Sequence, residues 1–249
     1  MSKRKEQSSS IKQIIFSIFF IIAVAIGIIT GDINVGSLAS GSGDHNSSIT
    51  SYELENIPEY SGEPYTIINE NKPNFKGEDF LTDTFESYSE LDELGRCGVA
   101  FANLGKETMP AEGETRKSIS NIKPTGWHNV KYDNINGKNL YNRCHLIAYC
   151  LSAENDNEKN LITGTRYFNV DGMLTFEKEV LEYLRNNENN HVLYRVTPIF
   201  EGENLVASGV TIEIASVEDR GEKLEFYVYV YNVQPGITID YATGDSSMS

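Results

Sequence analysis

One of the chain's four histidines stands in a context that could do chemistry, Tyr141-Asn142-Arg143-Cys144-His145-Leu146. Downstream come Asn160, then Arg166-Tyr167-Phe168-Asn169, then Glu177. Hydrolysis of a phosphodiester needs a base for the attacking water, a divalent cation against the phosphoryl oxygens, and a route for protonating the leaving oxygen. His145 suits the base, since imidazole titrates near neutral pH. Arg143 can grip a phosphate oxygen through its planar guanidinium. Asn169 offers a neutral oxygen to Mg²⁺, a hard cation that keeps several waters and takes few protein ligands, with Mn²⁺ as a substitute. Glu177 lies eight residues beyond Asn169, about two helical turns or ~12 Å along a regular axis. It is therefore expected to act through a water on the metal and not beside the Asn169 oxygen. Alone, the Asn-Arg-Cys-His tetrad reads equally well as a structural turn around a core histidine.

These residues need a scaffold, and the pattern around them changes period. Leu174, Glu177, Val180, Leu181 and Leu184 recur at three- and four-residue spacing, which predicts a helix between Gly172 and Asn187, with Asn169–Asp171 as its entry or first turn. Strand-like runs rich in Val, Ile, Tyr and Phe occupy Gly98–Leu104, His191–Thr197, Leu205–Ala215 and Leu224–Val233. Gly202–Asn204 and Asp219–Gly221 supply turns between antiparallel neighbours. Strands around one strong helix predict an α+β architecture with a central antiparallel sheet.

The balance of charge argues against a strongly basic nucleic-acid binder. The 249 residues carry 21 Lys+Arg against 36 Asp+Glu, a net of −15. With Lys3, Arg4, Lys5, Lys12 and Glu6 set aside, the chain after residue 30 holds 17 basic and 35 acidic side chains, a net of −18. No global steering toward a polyanion follows from that, so contact must come from a local basic cleft. A hydrophobic share of 39% with 14 tyrosines is ample for a packed core. Cys97, Cys144 and Cys150 allow one disulfide in any of three pairings, or three reduced thiols, and their spacing does not suggest a structural zinc site.

At the N-terminus, Lys3-Arg4-Lys5 precede an apolar run from Ile11 to Thr30 that is uncharged from Ile14 onward. Its length is close to the ~20 residues that span a bilayer, and its positive flank predicts a cytoplasmic N-terminus with the rest exported. Ser37-Leu38-Ala39 is a cleavage candidate well past the run, so an uncleaved anchor through residues 11–30 is favoured over a removed signal peptide. Residues 31–51 read as a Gly/Ser/Asn linker containing an inert His45, and residues 52–249 as one domain.

The set of motifs resembles the DNA/RNA nonspecific endonucleases of the ββα-metal class, especially the streptodornase and DNA-entry nuclease branch. The resemblance runs from about Pro64 to Ser246. It is carried by Leu94-Gly95-Arg96-Cys97-Gly98, Gly126-Trp127-His128, Asn142–Ile147, Lys159–Asn169, Tyr194–Pro198 and the stretches Val233–Ile237 and Asp240–Gly244. The family's usual Asp-Arg-Gly-His signature has Asn142 and Cys144 here at its first and third positions, and Cys144 in place of Gly argues that no positive φ is needed there. The resemblance implies one Mg²⁺ bound by Asn169, waters and the scissile phosphate. It further implies His145 activating the nucleophilic water, Asn160 positioning His145 or the phosphate, Glu177 assisting, and a water on the metal protonating the leaving 3′ oxygen to give 5′-phosphate products. Arg143 is a catalytic and substrate-binding candidate, with Arg166 and Arg96 as further phosphate contacts. Both Arg166 and Arg96 are equally readable as internal ion pairs.

Trp127 is read as core, His128 as a structural hydrogen-bonder, and His191 as a solvated turn residue. The competing reading is a catalytically decayed, surface-anchored nucleic-acid-binding or interaction module. The −18 balance and the altered signature point that way, whereas the intact His145, Asn160, Asn169 and Glu177 favour the enzyme. A toxin nuclease with a cognate inhibitor is a third reading that no sequence feature separates from scavenging or DNA uptake. Nothing in the sequence chooses between DNA and RNA.

Overall fold

Which face each strand buries decides the architecture. The computed structural model describes residues 57–80 and 83–249; the expected anchor at 11–30, the linker and His45 lie outside them. Among the described residues no helix is long and apolar enough to cross a membrane. In chain order the main elements are β1 (Tyr65–Ile67), β2 (Phe85–Tyr88), β3 (Ala100–Leu104), β4 (Tyr141–His145), α1 (Tyr149–Ser152), β5 (Leu161–Thr165), a wide helical turn (Phe168–Met173), α2 (Leu174–Asn186), β6 (Val192–Ile199), β7 (Gly209–Ser216), β8 (Glu225–Tyr231), β9 (Ile237–Ile239) and β10 (Ser246–Met248).

Six strands form one antiparallel sheet in the order β1-β8-β7-β6-β3-β2. Successive side chains of a strand point to opposite faces, and both faces here are covered. Val192, Tyr194 and Val196 of β6 join Ile212, Ile214, Val228 and Val230 in a core shared with Phe176, Val180 and Leu184 of α2. The alternate residues, Leu193 with Phe101 and Tyr227, Tyr229 and Tyr231 with Ile68, pack on the far face under Phe75, Phe80 and Tyr60. The apolar spacing of α2 therefore marks the stripe that seats on the sheet.

The expected strands appear with shifted ends. The run expected from Leu205 starts at Gly209, because the N–H groups of Leu205 and Val206 are both taken by the Tyr241 carbonyl. At Asp219–Gly221 the turn joins β7 to β8, with Arg220 and Gly221 at φ of 55° and 90°. Six strands, β1, β2, β4, β5, β9 and β10, were not read from the sequence, and two of them carry the site. β4 and β5 pair antiparallel outside the main sheet, Tyr141 opposite Thr165 and His145 opposite Leu161. Gly164 on β5 is required by close packing, since a Cβ there would lie 2.5 Å from the Cys144 Sγ and 2.6 Å from the Phe168 ring. Cys144 itself lies in extended backbone, as expected of a position that needs no positive φ.

The β5-to-helix junction is stitched by side chains. Thr165 Oγ1 accepts from the Phe168 N–H (2.9 Å) and Gln234 Oε1 from the Tyr167 N–H (3.1 Å), satisfying donors that a helix start leaves free. The ribbon, wide turn and helix together form a ββα unit laid on the sheet.

Candidate active site

His145 ends β4 and is 7% exposed. Its Nε2 meets the Asn155 carbonyl at 2.9 Å, and its Nδ1 meets Arg116 Nη2 at 2.9 Å. A carbonyl oxygen can only accept and a guanidinium can only donate. The ring is therefore the neutral Nε2–H tautomer, with the Nδ1 lone pair turned toward the cavity. Burial, more than the neighbouring Arg116, lowers its pKa to about 4, against a smaller opposing contribution from the Asn155 hydrogen bond. The near-neutral titration expected of His145 is thus corrected: the imidazole stays uncharged because its surroundings are dry and already hold a cation.

Around it opens a cavity of about 1110 Å³ whose wall includes Arg116, Lys123, Trp127, Asn142, Arg143, His145, Cys150, Asn169 and Glu177. Asn169 and Glu177 reach the same wall through the wide turn. The Leu174 N–H reaches back five residues to the Asn169 carbonyl, so one extra residue is absorbed before α2 begins. In a regular helix two residues eight apart differ by roughly 80° around the axis; with one residue absorbed they differ by about 20°. Both side chains therefore line one space, while their separation along the axis stays on the order of two turns, as a part for Glu177 through a water requires.

Burial raises the Glu177 carboxyl to about 7, with Arg116 opposing. The amide nitrogen of Asn142, on the same wall, has no hydrogen-bond partner. A dry carboxylate and an amide oxygen on one cavity wall are donors that suit a divalent cation, which would relieve the carboxylate of its charge penalty. Among the described residues no three His, Cys, Asp or Glu side chains gather as a metal cage. The donors present fit an ion held by few protein ligands that keeps its waters, as Mg²⁺ does.

Other candidates sit elsewhere or act indirectly. Asn160 is fully buried, its amide oxygen accepting from the Ile147 N–H (2.9 Å) and its amide nitrogen donating to the Ile147 carbonyl (3.0 Å). Of the two parts expected for it, this geometry suits positioning His145, since it pins the backbone just beyond that ring and its amide is not open to a phosphate. Arg143 lines the cavity, but its Nε donates to the Ile122 carbonyl, its Nη2 to that of Ser120 at 3.0 Å, and its guanidinium lies 4.0 Å from the Trp127 ring centre. It holds the 116–127 loop in place. Arg96 is removed from the substrate contacts, because Asp92, Gly202 and Asn204 occupy its guanidinium outside the cavity. The backbone N–H of Arg166 bonds Leu140 (2.8 Å), and this arginine is not part of the cavity wall either.

Trp127 is half-buried on that wall and not sealed in the core. His128 donates to the Thr243 carbonyl at 3.0 Å, in keeping with a structural part. His191 is not solvated: its Nδ1 lies 2.7 Å from Glu218 and its Nε2 3.4 Å from Glu107. All three cysteines are free, Cys97 and Cys144 buried and Cys150 half-buried at the cavity.

Two residues at the site were missed. Arg116 lies in a loop without periodicity, and Asn155 couples that loop to the base through its carbonyl to His145 and its amide to the Lys117 carbonyl (3.3 Å). A local count of charge would have found the region. From Arg116 to Arg143 there are six basic side chains and a single acidic one, Asp133.

Acid should weaken the fold through His145. Its folded pKa lies below the ordinary 6.5 of an unfolded imidazole, so the unfolded chain takes the proton first as pH falls. Stability present above pH 6.5 is lost as pH drops to 4, by about 3 kcal/mol at roughly 1.4 kcal/mol per unit. Urea denaturation of wild type and His145→Gln at pH 7.5 and 4.5 checks this. The stability difference between them should move by that amount in favour of the variant, and a pH-independent difference would contradict it.

A deoxyribonuclease of Streptococcus dysgalactiae subsp. equisimilis is 26% identical over 196 residues, which is 63% of this chain. The chain spans 59% of that curated relative's length. The magnesium-bound crystal structure of NucA from Streptococcus agalactiae superposes with a TM-score of 0.67 at 27% identity, covering 80% of this chain and 93% of that one. A zinc-bound Sda1 nuclease shares the fold, with a TM-score of 0.62 at 24% identity over 75% and 97% of the two chains. Residues 73–218, more than half of the sequence, match the DNA/RNA non-specific endonuclease family, and the chain belongs to that family.

Proposed function

We propose that this protein is a Mg²⁺-dependent, sequence-nonspecific endonuclease that hydrolyses DNA, and RNA where it is offered, leaving 5′ phosphates. The observation that carries the reading is the His145 ring, locked by Asn155 with its Nδ1 acceptor facing the cavity that Asn169 and Glu177 also line. The Nδ1 lone pair takes the proton of an attacking water, while the Asn155 carbonyl keeps the ring from turning. Arg116 now donates to that same nitrogen. An entering phosphate is a stronger partner for a guanidinium than a neutral imidazole, so Arg116 transfers to the phosphate and frees the base. The same transfer takes a cation away from His145 and raises its basicity. Lys123 extends the basic wall, which supplies the local cleft that the acidic chain needs.

Asn169 would hold the metal through its amide oxygen, with the Glu177 carboxylate of the same wall acting through a water on it. When bound, Mg²⁺ offsets charge on the phosphoryl oxygens and on the leaving group. Asn169→Ala should abolish Mg²⁺-dependent turnover, and Asn169→Asp should retain part of it, since a carboxylate oxygen also suits a hard cation. Titrating Mg²⁺ against initial rate for the three proteins checks this. An alanine variant with the wild-type Mg²⁺ dependence would remove Asn169 from the role.

The reading places residues 52–249 outside the cytoplasmic membrane as the catalytic domain, with 31–51 as linker and 11–30 as an uncleaved anchor. Support comes from the uncharged run after Lys3-Arg4-Lys5. Cell fractionation with N-terminal sequencing tests it, and a soluble product beginning near Ala39 or Gly41 would exclude the anchor.

A further inference from the structure

A second cavity, of about 520 Å³, opens at one end of the sheet's far face, where β6 and β8 end and β7 begins. Tyr229 and Tyr231 of β8 are two residues apart, so both rings project from that face. They meet edge to face, with centroids 5.1 Å apart and planes at 83°. Phe200, which follows β6, and Tyr241, which follows β9, complete an aromatic wall. The hydroxyls of this wall are already used. That of Tyr229 donates to Ser208 Oγ (3.1 Å), that of Tyr231 to the Pro58 carbonyl (2.7 Å) and that of Tyr241 to the Asn232 carbonyl (2.8 Å). Ser208 in turn donates to the Ile199 carbonyl (3.2 Å). A single charged residue borders the space, Glu201, and among the described residues no hydrogen bond or ion pair engages its carboxylate.

We propose that this pocket binds an organic ammonium ion, with its charged head held by the tyrosine rings and the Glu201 carboxylate and its alkyl groups against Ile199 and Val233. Aromatic rings carry negative charge on their faces, and that charge attracts an alkylated nitrogen, which gives up little hydration on entering a dry wall. The volume lies within the roughly 300–1,000 Å³ of small-molecule sites. A neutral ligand would leave Glu201 without a part. An anion would meet its charge at the mouth of the pocket, in a chain whose net charge is already −15. Phe200 contributes least of the four rings, because the Arg96 guanidinium already lies over it, 4.8 Å from the ring centre. The site draws on neither His145 nor a metal, and it lies on the sheet face opposite the ββα unit.

Isothermal titration calorimetry of the full chain with choline, and with neohexyl alcohol, in which carbon replaces the charged nitrogen, tests the proposal. Choline should bind at least about tenfold more tightly than the alcohol, the scale of a desolvated cation held by aromatic rings. Glu201→Gln should weaken choline by about two- to fivefold, as loss of an exposed charge does, and leave the alcohol unchanged. Glu203→Gln, two residues along and outside the pocket, should change neither. Tyr241→Leu should cost choline about tenfold, whereas Tyr241→Phe keeps the ring and should cost little. If Tyr241→Leu does not fold, the comparison of choline with the alcohol and the Glu201→Gln result decide. Equal binding of choline and the alcohol would make the pocket a plain apolar one and overturn the proposal, as would no heat at millimolar choline. A choline affinity that Glu201→Gln leaves untouched, or that Glu203→Gln lowers as much, would overturn it too.

Discussion

His145→Ala is expected to lower nucleic-acid cleavage by about 10² to 10⁴-fold, the range a positioned general base supplies. No other group can take over. His128 also lines the cavity, but its Nε2 is held by the Thr243 carbonyl, and the Glu177 carboxylate is committed to the metal. Removing the ring leaves the Asn155 carbonyl and the Arg116 guanidinium without their shared partner, but the space that it vacates opens onto the cavity, where water can reach both. The fold should therefore survive. Initial rates on plasmid substrate, with circular dichroism and a melting curve as controls, decide the point. Residual activity above about a tenth of wild type in a folded protein would take His145 out of the role.

The largest loss of stability is expected on the opposite face of the sheet. Arg195 and Glu213 face each other across β6 and β7 with side chains 2% and 3% exposed, joined by two hydrogen bonds of 2.8 Å each. The Asn74 N–H donates to the same carboxylate at 2.6 Å, and the guanidinium lies 4.7 Å from the Phe75 ring centre and 5.4 Å from that of Phe101. Deleting one partner strands the other charge in a dry site, which costs about 3–5 kcal/mol. Arg195→Ala and Glu213→Ala should each lose that much in urea denaturation. The pair Arg195→Met with Glu213→Leu should lose much less than the two single losses added, because no charge is left behind. Strict additivity, or a single loss under about 1 kcal/mol, would show the pair to be well hydrated.

Much of this arrangement could be read from residue spacing, and the failures have physical causes. The stripe Phe176, Val180 and Leu184 lies where the period of three and four put a helix, because burial on a sheet enforces that period. The strands β6, β7 and β8 were visible as β-branched and aromatic runs, though not their double-sided burial. β4 was hidden because Tyr-Asn-Arg-Cys-His carries no apolar alternation: all of its residues but Cys144 line a cavity that is itself polar. The wide turn at Phe168–Met173 could not be read, since every spacing estimate assumes a uniform helix, and that turn is what brings Glu177 into line with Asn169. Asn160 was expected to position His145 or the phosphate, and Arg96 was expected to be a phosphate contact or an internal ion pair. Only the tertiary fold shows that Ile147 occupies the one and the carbonyls of Gly202 and Asn204 the other. Arg116 escaped notice because averaging charge over the whole chain conceals a basic stretch of under thirty residues.

Cleavage of supercoiled plasmid by the purified protein, with Mg²⁺ and with EDTA and with His145→Ala in parallel, tests the reading most directly. Wild type with Mg²⁺ is expected to nick, linearise and then fragment the plasmid at many sites, leaving ends that a ligase joins without prior phosphorylation. EDTA and His145→Ala should each leave the supercoiled band intact over the same interval. Cleavage that proceeds undiminished in EDTA, or equally in the His145→Ala protein, would contradict a metal-dependent nuclease with this histidine as its base.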